Sequence, residues 1–257
     1  MGLHGGRVAL VTGVSRRQGI GYAIASRLRG LGFDLFVQHH VAHDAAQPWG
    51  ADDVDDVLAD LGATGLGVDL ARPEAPDELM AAAVEAYGRV DVLVCNHARS
   101  GGDGPLGSLD ATMLDEHYAV NTRSSILLAQ AFAHQWNSAD GGRIVFMTSG
   151  QNLGPMPGEI AYAASKGALA AIVATLSHEL ADRGITVNAV NPGPTDTGWA
   201  GPELTDLVNE RMPAKALGSA GRRRPADLLA VHRRRRLDHR TGDQQRGRLP
   251  ALNPSGC

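Results

Sequence analysis

Tyr162 and Lys166 stand four residues apart in the stretch AYAASKGAL, at the start of a long helical pattern. In a helix that spacing stacks both side chains on one face, about one turn or ~5.4 Å apart along the axis. An ammonium beside a phenol stabilises the phenolate, drawing a reference pKa of ~10 toward the range where it can work as acid and base. Ser149 lies thirteen residues before Tyr162, at the end of the strand-like run RIVFMT, where its hydroxyl could hydrogen-bond a substrate carbonyl. Taken singly, each residue has a plainer explanation: a buried tyrosine, a surface lysine, a capping serine.

A second group sits near the N-terminus. ALVTGVSRRQGIGYAIA places Thr12, Gly13, Gly19 and Gly21 between a β-branched run and a helical one. Glycines at that junction permit a tight turn and let backbone amides and a helix N-terminus face a pyrophosphate. The plainer alternative is an ordinary βα turn.

The elements that must position these residues alternate along the chain. Apolar β-rich runs at 7–12, 34–38, 65–68, 90–95, 143–148 and 185–190 read as six strands. Helical patterns lie near 19–30, 52–61, 74–87, 109–136 and 160–182. This is the signature of a doubly wound parallel α/β sheet with helices on both faces, in one domain, with ligands expected at the carboxyl ends of the strands. Residues about 198–218 have Gly and Pro at both ends and a short amphipathic middle, the pattern of a lid over a pocket. That domain with its lid takes up residues 1–220.

The 257 residues suit one large domain, and 32 Gly fit many tight turns. No apolar run is expected to reach membrane-spanning length, and the N-terminus lacks the regions of a signal peptide, so a cytoplasmic protein with no membrane partner is expected. Cys95 and Cys257 make no disulfide framework. The net charge of −4 hides a division: residues 221–257 carry ten Arg against three Asp, whereas the rest carry 14 Lys and Arg against 25 Asp and Glu. A basic end on an acidic body leaves open an arm that binds nucleic acid. It lacks interleaved aromatics and any zinc or heptad pattern, so no nucleic-acid partner is expected. His39, His40 and His43 have no acidic or Cys partner completing a ligand set, and no metal is expected.

Together these residues resemble the short-chain dehydrogenase/reductase family, which has a Rossmann fold. Ser149 and Tyr162-x-x-x-Lys166 match its catalytic serine and Y-x-x-x-K, and Asn121 in YAVNTRSS matches its fourth catalytic residue. A mid-helix asparagine is unfavourable by propensity, so a compensating hydrogen bond is expected there. The glycine loop is similar to T-G-x-x-x-G-x-G with two extra residues, and implies cofactor contacts from Gly13, Ser15, Arg16, Arg17, Gly19, Ile20 and Gly21. Asp69, with Leu70, matches an adenine-contacting position. CNHAR stands where the family usually has N-N-A-G, so Asn96 and Ala98 fit while His97 and Arg99 depart. NPGPTDTG matches P-G-x-x-x-T, implying contacts from Pro192, Gly193, Thr195 and Thr197.

The resemblance implies hydride transfer between a nicotinamide and a carbonyl, with Tyr162 as proton donor in reduction. Lys166 would lower its pKa and hold the nicotinamide ribose, Ser149 would fix the carbonyl oxygen, and Asn121 would support a water relay. An acidic residue ending the second strand would favour NAD(H). Here that strand ends Gln38, His39, His40 while Arg16 and Arg17 sit in the loop, so NADP(H) is favoured and His39 joins the expected contacts. Leu153, Met156, Pro157 and Trp199 suggest an uncharged or acyl carbonyl substrate, as in 3-oxoacyl-carrier-protein reductase-like members. A homo-oligomer, dimer or tetramer, is also implied.

Residues 221–257 depart from the family, because four consecutive Arg cannot sit in a buried parallel strand. Reverse translation of the segment from Leu237, read one nucleotide forward, permits Trp-Ile-Thr-Gly-Gln-Val-Ile-Asn-Ser-Glu-Gly-Gly-Phe, a family-like last strand. The Arg-rich end is therefore read as a frameshift of the final helix and strand, slipping between about Asp227 and Arg233.

Overall fold

The computed structural model describes residues 6–138, 140–198 and 218–219. The main sheet is parallel with strand order β3-β2-β1-β4-β5-β6. Its strands are β1 (Val8–Thr12), β2 (Asp34–His39), β3 (Thr64–Gly67), β4 (Val92–Cys95), β5 (Arg143–Met147) and β6 (Thr186–Val190). Helices α1 (Ile20–Gly30), α2 (Val41–Ala45), α3 (Val54–Leu61), α4 (Ala75–Tyr87), α5 (Ala111–His117), α6 (Ser124–Gln135) and α7 (Ile160–Glu179) connect them. A short pair, β7 (Thr195–Asp196) with β8 (Gly218–Ser219), stands apart. The doubly wound α/β expectation holds: this is a six-stranded Rossmann-like sheet among the described residues.

Strand alternation builds a core on each face of the sheet. Leu10, Phe36, Leu93, Ile144 and Phe146 pack with Leu79, Leu128, Phe132 and Leu169 from α4, α6 and α7. Val11, Val37, Val94 and Val145 pack with Ile24, Leu28, Val57 and Leu61 from α1 and α3. Strands buried on both faces have no polar positions to spare, which is why β1 and β4 read as continuous apolar runs.

Three expectations are corrected. The single helix expected over 109–136 is broken: Tyr118–Arg123 form a π-helical segment between α5 and α6. α2 was not expected, since VAHDA has neither length nor apolar period enough to show as a helix. And α7, an Ala-rich helix of 20 residues, is long and apolar enough to cross a membrane, contrary to the expectation that no run would be. Here it lies against β6 and the π segment, with Ala161, Ser165, Lys166 and Leu169 buried. The suspected frameshift at 221–257 and nearly all of the expected lid, with Trp199, lie outside the described residues.

Candidate active site

The loops after β1, β2, β3, β4, β5 and β6 leave the sheet at one edge and surround a cleft of about 1040 Å³. A parallel sheet puts all its carboxyl ends on that side, so residues distant in sequence meet there.

The glycine loop forms the floor. Gly13 adopts a φ of 71°, the left-handed region that favours glycine. Gly21, in the first turn of α1, passes so close to the β1 loop that a Cβ would lie 2.2 Å from the Gly13 carbonyl oxygen. Asn96, just past β4, donates through Nδ2 to the carbonyls of Thr12 and Gly13 at 3.1 Å each, fixing the loop. Gln38 completes the frame: its Oε1 accepts from the Gly13 amide at 3.0 Å and its Nε2 donates to the Val68 carbonyl at 2.8 Å. Only glycine fits a cradle this tight, and a helix N-terminus opens on it, as an anionic dinucleotide requires.

Of the expected cofactor residues, Gly13, Ser15, Arg16, Gly19, Ile20, Asp69, Leu70, Asn96, Ala98, Tyr162, Lys166, Pro192 and Thr197 line the cleft. Arg17 is turned away: its Nε donates to Asp60 Oδ2 on α3 at 2.7 Å, and both side chains are close to half exposed. His39 also turns aside, packing over Gly67 of β3, because successive strand side chains face opposite ways; His40 takes the cleft side. Gly193 and Thr195 stand behind the wall, where the Thr195 hydroxyl donates to the Gly193 carbonyl at 3.1 Å. Arg16 does face the cleft, with Asp44 at 3.9 Å, the Trp49 ring beneath its guanidinium at 5.4 Å and the Thr197 carbonyl at 2.5 Å. Asp44, His43 and Trp49 were missed by sequence reasoning; they follow an unpredicted helix and had no motif to mark them.

At the opposite end of the cleft lie the residues of acid–base chemistry. The Ser149 hydroxyl donates to the Tyr162 hydroxyl. Lys166, almost fully buried, donates from Nζ to the Met147 carbonyl at 3.0 Å and stands 5.8 Å from the Tyr162 ring centroid. Burial lowers its pKa to about 8. The expected lowering of the Tyr162 phenol is reversed: burial pushes it above 10.0, the Ser149 hydrogen bond pulls part of the way back, and Glu159 pushes it up. The spacing foretold that Lys166 and Tyr162 would be neighbours. It could not foretell that the ammonium would be spent on a main-chain carbonyl and that desolvation would dominate.

Asn121 lies in the π segment, and such segments arise where the ladder of a helix is interrupted. The compensating hydrogen bond expected there is present. Its Oδ1 accepts from the Arg99 amide at 2.7 Å, while Nδ2 donates to the Arg99 carbonyl at 3.2 Å and to Ser165 Oγ at 2.8 Å. The carboxamide thus ties the β4 loop to α7 and is fully engaged. His97 does parallel work. Its Nδ1 accepts from the Thr12 hydroxyl at 2.6 Å, and its Nε2 faces the Val120 carbonyl at 3.0 Å and Ser124 Oγ at 2.7 Å. A carbonyl can only accept, so the proton sits on Nε2. Burial lowers this imidazole to about 3, with the Lys166 charge adding to the effect.

One contributor had no sequence signal at all. Asp103, in the loop after β4, accepts from the amides of Ala161 at 3.1 Å and Tyr162 at 2.8 Å, capping α7 from across the site.

The sequence profile of the short chain dehydrogenase family matches residues 7–207. An uncharacterized oxidoreductase of Bacillus subtilis, YjdA, is 40% identical over 216 residues, 83% of this chain and 84% of that one. A chloroplastic protein of Arabidopsis thaliana, called an NADPH-dependent aldehyde reductase-like protein, is 33% identical over 229 residues, 84% and 83% of the two chains. Among solved structures, a short-chain dehydrogenase/reductase from Serratia marcescens superposes with a TM-score of 0.72 at 33% identity, covering 84% of this chain and 86% of that one.

Proposed function

The chain belongs to the short chain dehydrogenase family of oxidoreductases, and on that premise we propose that it reduces an uncharged or acyl carbonyl compound with NADPH. The observation that carries the proposal is the Ser149–Tyr162 hydrogen bond beside buried Lys166, at one end of a cleft whose other end is the glycine cradle.

The cradle fits a dinucleotide, since a side chain at Gly21 would fill the space it leaves. Gly13, Ser15, Gly19 and Ile20 would hold the pyrophosphate, Asp69 and Leu70 the adenine, and Pro192 and Thr197 the nicotinamide end. When bound, the nicotinamide supplies the hydride that the carbonyl carbon accepts.

Tyr162 keeps its phenolic proton through neutral pH because burial holds its pKa up, so it is poised to donate that proton to the nascent alkoxide. Ser149, already hydrogen-bonded to Tyr162, is placed to orient the same carbonyl oxygen and to stabilise the phenolate left behind. Lys166 keeps positive charge behind both.

Three observations support NADP(H) over NAD(H). β2 ends without a carboxylate, Arg16 faces the adenosine half of the cleft, and the Arabidopsis relative is named for NADPH. Asp44 counterbalances Arg16 in part, so the margin is set by how far a 2′-phosphate displaces that pair. Substrates of the 3-oxoacyl thioester or simple ketone type are favoured by the apolar residues Leu153, Met156 and Pro157 near the site. Copies of the chain are proposed to associate through α7, much of whose apolar surface the described fold leaves unburied.

The test is Tyr162→Phe, assayed with a panel of carbonyl compounds and both NADPH and NADH. The variant is expected to bind NADPH and to lose turnover; a folded variant with full activity would overturn the assignment.

A further inference from the structure

Asn96–Arg99 departs from the family's usual N-N-A-G at its last residue, where an arginine stands in place of a glycine. The main chain there is pinned on both sides by Asn121. The side chain crosses to α5, where Nη2 lies 2.6 Å from Glu116 Oε2. Its Nε is buried and has no hydrogen-bond partner. Both Arg99 and Glu116 line the cleft, on the wall facing His43, and Asp69 and Leu70 belong to the same end. His43 registers the guanidinium: burial lowers its pKa most, and the charges of His40 and Arg99 lower it further against the pull of Asp44 and Asp69.

A buried N–H left without an acceptor is costly, so it persists where something bound supplies the acceptor. A guanidinium held by a carboxylate presents a flat cationic face and a fixed fork, suited to an aromatic base and the oxygens attached to it. We infer that Arg99 is a specificity-determining residue that holds the adenosine half of the dinucleotide, with Glu116 setting its orientation. The inference rests on the nicotinamide-dependent reading above and assigns to this chain a contact that a glycine cannot make.

The experiment compares NADPH, NADH and reduced nicotinamide mononucleotide, which lacks adenosine, by fluorescence titration of the wild type, Arg99→Gly and Glu116→Gln. Arg99→Gly is expected to raise the dissociation constants of NADPH and NADH together by about tenfold, near the worth of one cation–π or charge-assisted contact, while that of the mononucleotide stays put. Glu116→Gln, which leaves Arg99 in place but loosens it, is expected to move the same ratio in the same direction by less. An unchanged dinucleotide-to-mononucleotide ratio in Arg99→Gly overturns the assignment, and a loss confined to NADPH overturns it in favour of a 2′-phosphate contact. Should the glycine variant not fold, an unchanged ratio in Glu116→Gln overturns it equally. A wild type that binds none of the three compounds would instead bring down the nicotinamide reading itself.

Discussion

The carboxylate of Asp103 accepts the backbone amide of Tyr162 at 2.8 Å, joining the loop after β4 to the first turn of α7. The same carboxylate takes the amides of Ala161 and Gly104, so three main-chain donors share one side chain. α7 has no cap from its own Glu159, and Asp103 supplies what the preceding residue does not. Asp103→Ala is expected to lower the unfolding free energy by about 1 kcal/mol, the usual worth of an N-cap, read from urea denaturation. Burial favours the protonated acid, but the amides of Tyr162, Ala161 and Gly104 outweigh it and hold the carboxyl below 3.8. The folded state therefore binds fewer protons, and the stabilisation is present above that pH and lost as pH falls through it. The difference between wild type and Asp103→Ala should shrink from about pH 5 to about pH 3.

Lys166 has the opposite sign. Its folded pKa of about 8 lies below the ordinary 10.5, so between these values the unfolded chain binds more protons. Stability from this group therefore rises with pH across that window. Urea midpoints measured at about pH 8 and pH 9.5 should rise for the wild type relative to Lys166→Met. A wild type and a Lys166→Met that track each other would show that the ammonium is not buried as described.

Two glycines of one helix separate close approach from mere helix propensity. A Cβ on Gly21 would meet the Gly13 carbonyl oxygen at 2.2 Å and Asn96 Nδ2 at 2.7 Å, whereas nothing lies within 4 Å of one on Gly30. Gly21→Ala should lower the melting temperature and weaken NADPH binding by more than about tenfold, since backbone must move. Gly30→Ala should leave binding unchanged and gain up to about 1 kcal/mol of stability. Equal effects from the two substitutions would show that the cradle is not tight.

His97→Asn restores the residue usual in the family. It should cost about 1–3 kcal/mol here, because a shorter side chain cannot reach Thr12, Val120 and Ser124 together. Burial, aided by Lys166, holds the folded imidazole at about 3, below its ordinary 6.5. The unfolded chain binds the extra proton in that window, so stability falls as the solution is acidified through it. His97→Asn should flatten that acid dependence in denaturation curves.

Much of the fold was legible because its signals are local. β1, β4 and β5 are continuous apolar runs, and Asp53 caps α3 through hydrogen bonds to the amides of Asp55 and Asp56, two and three residues on. The break at Tyr118–Arg123 was not legible, because the same apolar residues satisfy an α-helical and a π-helical reading. Within the cleft, the glycine loop and Ser149, Tyr162 and Lys166 were visible as types at fixed spacing. Arg16 and Arg17, adjacent and chemically identical, could not be told apart. Only the packing of α3 gives one of them Asp60 and leaves the other to Trp49 and the Thr197 carbonyl.

By itself, then, the sequence determined the alternation of strands and helices, the glycine junction and the neighbourhood of Tyr162 and Lys166, because each depends on periodicity over a few residues. The tertiary structure alone decided which histidine faces the cleft, where Asp103 is spent, what Arg99 reaches and which way the phenol of Tyr162 titrates. Those outcomes depend on burial and on contacts between loops tens of residues apart, which meet only because parallel strands end on one side of the sheet.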